Sequence, residues 1–177
     1  MKRIGLLSLL PLALVGLALT GCLGYKLGGS SLPDGIETVC VAPVVNRTAE
    51  PAIELEVTRA VRQRIQFDGR LKLVNTPDEA DAVLRVALTD YRLTPIDYRN
   101  ADREEYNNTA NRYRLRITAR STLENRETGK PLARSKTYGE STFSFRSDLT
   151  TSKRNALPRA ADELAQYLVD DLVEGWQ

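Results

Sequence analysis

Arg112, Arg114, Arg116 and Arg120 fall at even spacing on one stretch, with Tyr113, Leu115, Ile117, Ala119 and Leu123 on the opposite parity. A period of two sets one group on one face of a β-strand and the other group on the reverse face. Arginine grips phosphate through two parallel hydrogen bonds from a planar fork, so the row is a candidate anion-binding strip. Two plainer readings stand beside it. The arginines are a solvated outer face, or they are charges that keep an edge strand from pairing with a neighbour. Carboxylates such as Glu124 and Glu140 could neutralise part of the strip.

The rest of the reactive inventory is short. The 177 residues contain no histidine, which removes the side chain most used for acid–base work near neutral pH and the dyads built on it. A histidine-ligated metal site goes with it, and no other grouping suggests a metal or a cofactor. Gly28 and Gly29 are followed by no Gly-Lys-Ser/Thr, so they make no phosphate loop. The two cysteines are Cys22 and Cys40.

Cys22 is the more informative of the pair. Lys2 and Arg3 precede an apolar run from Ile4 to Leu19, and Leu19-Thr20-Gly21-Cys22 closes it. A charged start, a short apolar core and small residues before a cut form a secretory signal peptide. The run contains Pro11 and Gly16 and falls short of the about 20 residues that span a bilayer. Small-small-Cys resembles the bacterial lipobox. That resemblance implies cleavage before Cys22, a diacylglycerol on its thiol, and attachment of the chain to a membrane through this N-terminal lipid. Cys40 is then left without a partner for a disulfide.

Removing residues 1–21 also removes Lys2 and Arg3, which carry the whole formal excess of +2. A chain with balanced charge is a poor nucleic-acid binder. Residues 22–35 are rich in glycine and serine and read as a flexible, lipidated linker. Residues 36–177 then form a single domain, long enough for a proper core.

Within that domain the pattern gives a strand over 36–45, buried on both faces, with Cys40 as a small core residue. Residues 50–67 read as a helix with Pro51 in its first turn. Its stripe is Ile53, Val57, Ala60, Val61 and Ile65, Arg59, Arg62 and Arg64 lie in its later half, and Gly69 stops it. A strand at 71–74 completes a strand–helix–strand unit, right-handed if the strands are parallel. A turn at 77–80 leads to a strand over 82–93, whose parity flips near Thr89-Asp90 as at a bulge. Residues 95–110 read as a polar loop. Strands over 111–123 and 132–145 follow, joined by a turn at 125–130. The last element is a helix over 148–174 capped by Asp148. Leu157, Ala161, Leu164, Leu168 and Leu172 form its buried stripe with Ala160 and Tyr167 beside it, Pro158 kinks or restarts it, and Trp176 anchors its end. The fold class is α+β: two helices packed on a mixed sheet of four to five strands, a two-layer α/β sandwich in the order β-α-β-β-β-β-α.

Several phrases narrow the field further. Gly24-Tyr25 comes soon after Cys22, Ser31-Leu32-Pro33 precedes the first strand, and Asn46-Arg47-Thr48 follows it. Ala80-Asp81-Ala82-Val83-Leu84 opens the middle strand, and Tyr113-Arg114-Leu115 and Thr128-Gly129-Lys130 frame the next. In this order they resemble the lipopolysaccharide-assembly lipoprotein (LptE) family over essentially the whole mature chain. The resemblance implies a non-catalytic plug and chaperone within an outer-membrane β-barrel, the translocon that delivers lipopolysaccharide to the cell surface, and affinity for lipopolysaccharide itself. Lipid A carries phosphates beside acyl chains, which makes Arg112, Arg114, Arg116 and Arg120 the candidate contact. The loop 97–110 holds Asp102, Glu104 and Glu105 and does not favour a phosphate-rich glycolipid there. Leu23 stands where an Asp retains enterobacterial lipoproteins at the inner membrane, so the outer membrane, periplasmic side, is the expected location. The competing reading is a free-standing periplasmic lipoprotein that binds an amphiphile or cell-wall material without a barrel partner. An enzyme is the third.

Overall fold

The computed structural model describes residues 35–98, 110–145 and 148–174. The leader, Cys22, the linker up to residue 34, residues 99–109 and Trp176 lie outside the described residues. The described elements are β1 (Thr38–Val41), β2 (Val45–Asn46), α1 (Ile53–Asp68), β3 (Lys72–Val74), β4 (Ala82–Tyr98), β5 (Ala110–Asn125), β6 (Pro131–Ser144) and α2 (Leu149–Glu174). They form one mixed sheet in the order β3-β1-β4-β5-β6, with β2 joined to β4 beyond the end of β1. β1 runs parallel to both β3 and β4, and β5 runs antiparallel to β4 and β6. The two helices cover one face, and Val57 and Val61 of α1 share a core with Leu164 and Leu168 of α2 and Leu84, Val86, Leu115 and Ile117 of the sheet. This is the α+β two-layer arrangement that the patterning implied.

Some boundaries moved, each for a local reason. The single strand expected over 36–45 is two short ones, because the register against β4 slips by one residue between Val41 and Val45, where Pro43 has no amide for a regular ladder. The bulge near Thr89 is present between Leu88 and Asp90. β4 then continues to Tyr98, well into the expected loop at 95–110. Pro95 is tolerated there because β1 and β2 have already ended, so that side of β4 is an edge. α1 begins at Ile53, not Glu50, and Pro51 lies outside it. The amide of Asn46 donates to the Glu50 carbonyl at 2.8 Å and to the Glu54 carboxylate at 3.0 Å. That tie turns the chain sharply, and Ala52 makes the entry with a left-handed φ of 61°. Gly69 ends the helix as expected, in the left-handed region and with its amide on the Ile65 carbonyl.

Asp148 caps α2 through the amides of Thr150 and Thr151, each at 2.9 Å. α2 is continuous through Pro158 and does not restart. Its buried stripe is wider than expected and includes Ala156, Ala165, Val169 and Val173, whereas Tyr167 is exposed and Leu157 only partly buried. Cys40 is buried, but on the sheet face away from the helices, beside Val83 and with Sγ 3.7 Å from the Asn75 carbonyl.

The helices lie side by side and point the same way. Glu50 pairs with Lys153, Arg59 with Asp162, Arg64 with Asp170 and Arg70 with Glu174, at 2.6, 3.0, 2.9 and 3.9 Å. Both numbers rise together along this series, which only a parallel pair can do. Parallel macrodipoles set like ends together, and the cross-helix pairs offset that repulsion. Partial exposure keeps each pair's contribution small.

Candidate functional site

The open face of the sheet is built on β5. Arg112, Arg114, Arg116 and Arg120 all stand on it, and Leu115, Ile117, Ala119 and Leu123 are buried on the reverse. Register then brings in side chains from both neighbours. Arg116 lies between Arg92 of β4 and Glu140 of β6, and Arg120 lies between Ala87 and Lys136. Thr122 lies between Arg85 and Arg134.

The four arginines are not equivalent. Arg116 is ion-paired with Glu140 and lies over the Tyr138 ring, 4.4 Å from its centroid. Arg114 shares the same carboxylate at 3.6 Å. Two guanidinium groups on one carboxylate leave about half their charge uncompensated. Glu124 is spent elsewhere, on Arg85 at 2.8 Å, and Arg92 pairs with Asp90 at 3.3 Å. Arg120, Lys136, Arg134 and Arg112 have no ion pair among the described residues. Arg120 and Lys136 sit directly across from one another and are both exposed. Like charges directly opposite destabilise a sheet, and a bound anion would relieve them. The free charge is therefore centred on the pair Arg120 and Lys136, two same-face positions from Arg116 and three from Arg114 along the strand.

Lys136, Arg134, Arg85 and Arg92 were missed from sequence. Their signal was present as the even parity of β6 and the outward parity of β4, but only the strand order joins them to β5. Beside this face, where β1 gives way to β2, lies an apolar groove of about 680 Å³. Val41, Pro43, Val44, Leu55 and Val83 line it, and Arg85 stands at its rim. Among the described residues no group of histidine, cysteine, aspartate or glutamate is arranged to hold a metal ion.

Three of the phrases noted in the sequence, those at Asn46, Asp81 and Thr128-Gly129-Lys130, fall at the joints of this scaffold, whereas Tyr113-Arg114-Leu115 lies within β5. Asp81 accepts the amide of Thr38 at 2.9 Å, its hydroxyl at 2.7 Å and the amide of Glu37 at 3.1 Å, so it bolts the start of β1 to the start of β4. These hydrogen bonds, that from the Thr38 hydroxyl foremost, hold the Asp81 carboxyl below its ordinary pKa. Asn125 accepts the amides of Glu127 and Thr128, and Gly129 takes a left-handed φ of 64°, which closes the β5–β6 turn.

The family model for lipopolysaccharide-assembly proteins, LptE, matches residues 36–172. The chain belongs to the LptE family. The match spans every described element from β1 almost to the end of α2. No curated protein matches the chain. Among solved structures, protein XCC0632 from Xanthomonas campestris is similar with a TM-score of 0.54 at 13% identity, covering 78% of this chain and 85% of that one. Protein CT253 from Chlamydia trachomatis gives 0.53 at 13% identity, over 80% of this chain and 97% of its own. A minor lipoprotein from Acinetobacter baumannii gives 0.51 at 11% identity, over 79% and 94%. These likenesses show that the LptE fold of this chain is shared by proteins of very different sequence.

Proposed function

We propose that this protein is a non-catalytic, lipid-anchored component of the outer-membrane lipopolysaccharide translocon, tethered through Cys22 on the periplasmic side. It plugs and assists assembly of a β-barrel partner and binds lipopolysaccharide on the open face of its sheet. Membership of the LptE family carries the assembly role. The observation that carries the binding role is the uncompensated pair Arg120 and Lys136, set beside Arg112, Arg114 and Arg116 on one rigid face. Arg85 touches both this face and the apolar groove, so phosphates and an acyl chain of one glycolipid have adjoining places. The same groove is what favours the second reading, a free-standing lipoprotein that holds an amphiphile without a barrel.

The deciding experiment is recovery of the tagged full-length protein from detergent-solubilised outer membrane. A stoichiometric large β-barrel protein in the eluate supports the translocon reading. An eluate holding bound amphiphile and no barrel supports the second.

A further inference from the structure

β6 pairs with β5 along one side only, so its other side is an edge of the sheet. Phe145 donates its amide to Asn111. Odd-numbered residues of β6 therefore turn their backbone groups toward β5, and even-numbered ones turn theirs outward. A long unpaired edge accepts further strands unless charges or a covering element block it. α2 supplies that cover. Asn155, Arg159, Glu163, Tyr167 and Asp171 recur at every fourth position and so follow one side of the helix. Asp171 takes the Ser135 hydroxyl, and Glu163 takes the outward amide of Glu140. At Glu140 the edge is thus closed by one of the protein's own carboxylates.

Among the described residues Glu140 is the one outward β6 amide that a side chain takes. The next outward amides belong to Thr142 and Ser144, and no side chain among the described residues takes either. They border a polar groove of about 530 Å³ whose far wall is Ser152, Asn155 and Arg159. Arg159 is exposed and has no carboxylate within ion-pair reach among the described residues. One helical turn separates it from Glu163, so the sign of charge along the edge reverses past Glu140.

We propose that this open end of β6 is a docking site for an extended acidic segment of another polypeptide, which adds to the sheet beside Thr142–Ser144 and sets a carboxylate against Arg159. Strand addition draws affinity from main-chain hydrogen bonds and selectivity from flanking side chains. Glu163 on Glu140 already shows a carboxylate satisfying this edge one step away. A second copy of this chain is a poor occupant, because antiparallel pairing of two such ends would set Arg159 against Arg159. The proposal is independent of glycolipid binding at Arg120 and Lys136.

The test titrates the full-length protein in detergent with a capped octapeptide of alternating aspartate and threonine, and with its lysine-for-aspartate counterpart. Peptide anisotropy reads affinity, and amide hydrogen exchange reads Thr142 and Ser144. The aspartate peptide should bind and slow exchange at both amides, and the lysine peptide should do neither. Arg159→Glu should weaken binding at least about tenfold, as loss of a charge-assisted hydrogen bond does. Thr142→Pro should abolish it while leaving the ladder to β5 intact, since that amide points outward. Melting curves confirm that both variants fold. The proposal is overturned by absence of binding to the aspartate peptide, or by binding that survives both substitutions. It is equally overturned by edge protection that arises from self-association, or that needs lipopolysaccharide micelles instead of peptide.

Discussion

Gly139 of β6 lies directly beneath Leu164 of α2, so close that a Cβ on Gly139 would stand 2.8 Å from the Leu164 Cα and closer still to the Ala160 carbonyl. Both neighbours are helix backbone and cannot rotate aside. The glycine sets the distance at which α2 rides on the sheet, and with it the reach of Glu163 to the β6 edge. Gly139→Ala should therefore destabilise the fold by about 1–3 kcal/mol or more, the cost of overpacking a tight contact. Denaturant midpoints read this, and an unchanged midpoint would mean that the two backbones do not meet there.

Truncation on either side of the same interface tests the core. Leu115 and Leu164 are fully buried. Leu115→Ala or Leu164→Ala should each cost about 2–5 kcal/mol. Losses below about 0.5 kcal/mol at both, a level typical of surface substitutions, would show the faces misassigned.

Asp81 gives the fold an acid limb. Its carboxyl titrates below the ordinary value of 3.8 in the folded chain, so the unfolded chain binds more protons in that interval. Stability from this group is fully present above 3.8 and is lost as pH falls through the lower folded value. Asp81→Asn should make stability less steep in pH across that interval. Carboxyl carbon shifts would locate the midpoint, and a normal midpoint would remove the claim.

Charge removal separates the site from ordinary surface. Arg120→Ala with Lys136→Ala should weaken lipopolysaccharide binding and flatten its dependence on salt, as fewer ions are displaced. The control is Arg47→Ala with Arg154→Ala, which removes the same charge from exposed positions elsewhere. Arg64 is unsuitable as a control, because its loss also breaks the pair with Asp170. Equal binding by both double variants would leave the open face as solvated surface.

Cys22→Ala should release the protein from membranes or leave its leader uncleaved, since acyl chains at that thiol are the proposed anchor. Fractionation of cells expressing the variant reads this. Normal processing with undiminished membrane association would refute the lipid attachment.

The fold was legible wherever period and punctuation agreed. Val57 and Val61 announced α1, Gly69 its end, Asp148 the start of α2, and the parity flip at Thr89 the bulge of β4. The misreadings came where tertiary ties override local signals. Pro51 suits a first helical turn, but the Asn46 side chain holds Glu50 and Glu54 and delays the helix. Pro95 suits a loop, but an edge position lets the strand run past it. At the site, the shared face of the four arginines followed from spacing alone. The inequality between Arg116 and Arg120 did not, because it depends on which residues of β4 and β6 stand opposite. The family resemblance rested in part on the Asn46, Asp81 and Thr128-Gly129-Lys130 phrases, whose work is to tie turns and strand ends.

The place of β1 in the sheet bears on how the domain carries mechanical load. The chain enters the described fold at Gly35 and passes at once into β1, which is hydrogen-bonded to β3 on one side and β4 on the other, parallel to both. Tension arriving from the N-terminal side acts along the axis of that strand. It strains the bonds of both ladders together, in shear, instead of peeling them one after another as at the open end of a hairpin. The Asp81–Thr38 clamp sits at the point where the tension enters. A domain held from that end can be tugged by thermal motion of whatever it is tethered to without its sheet being unzipped.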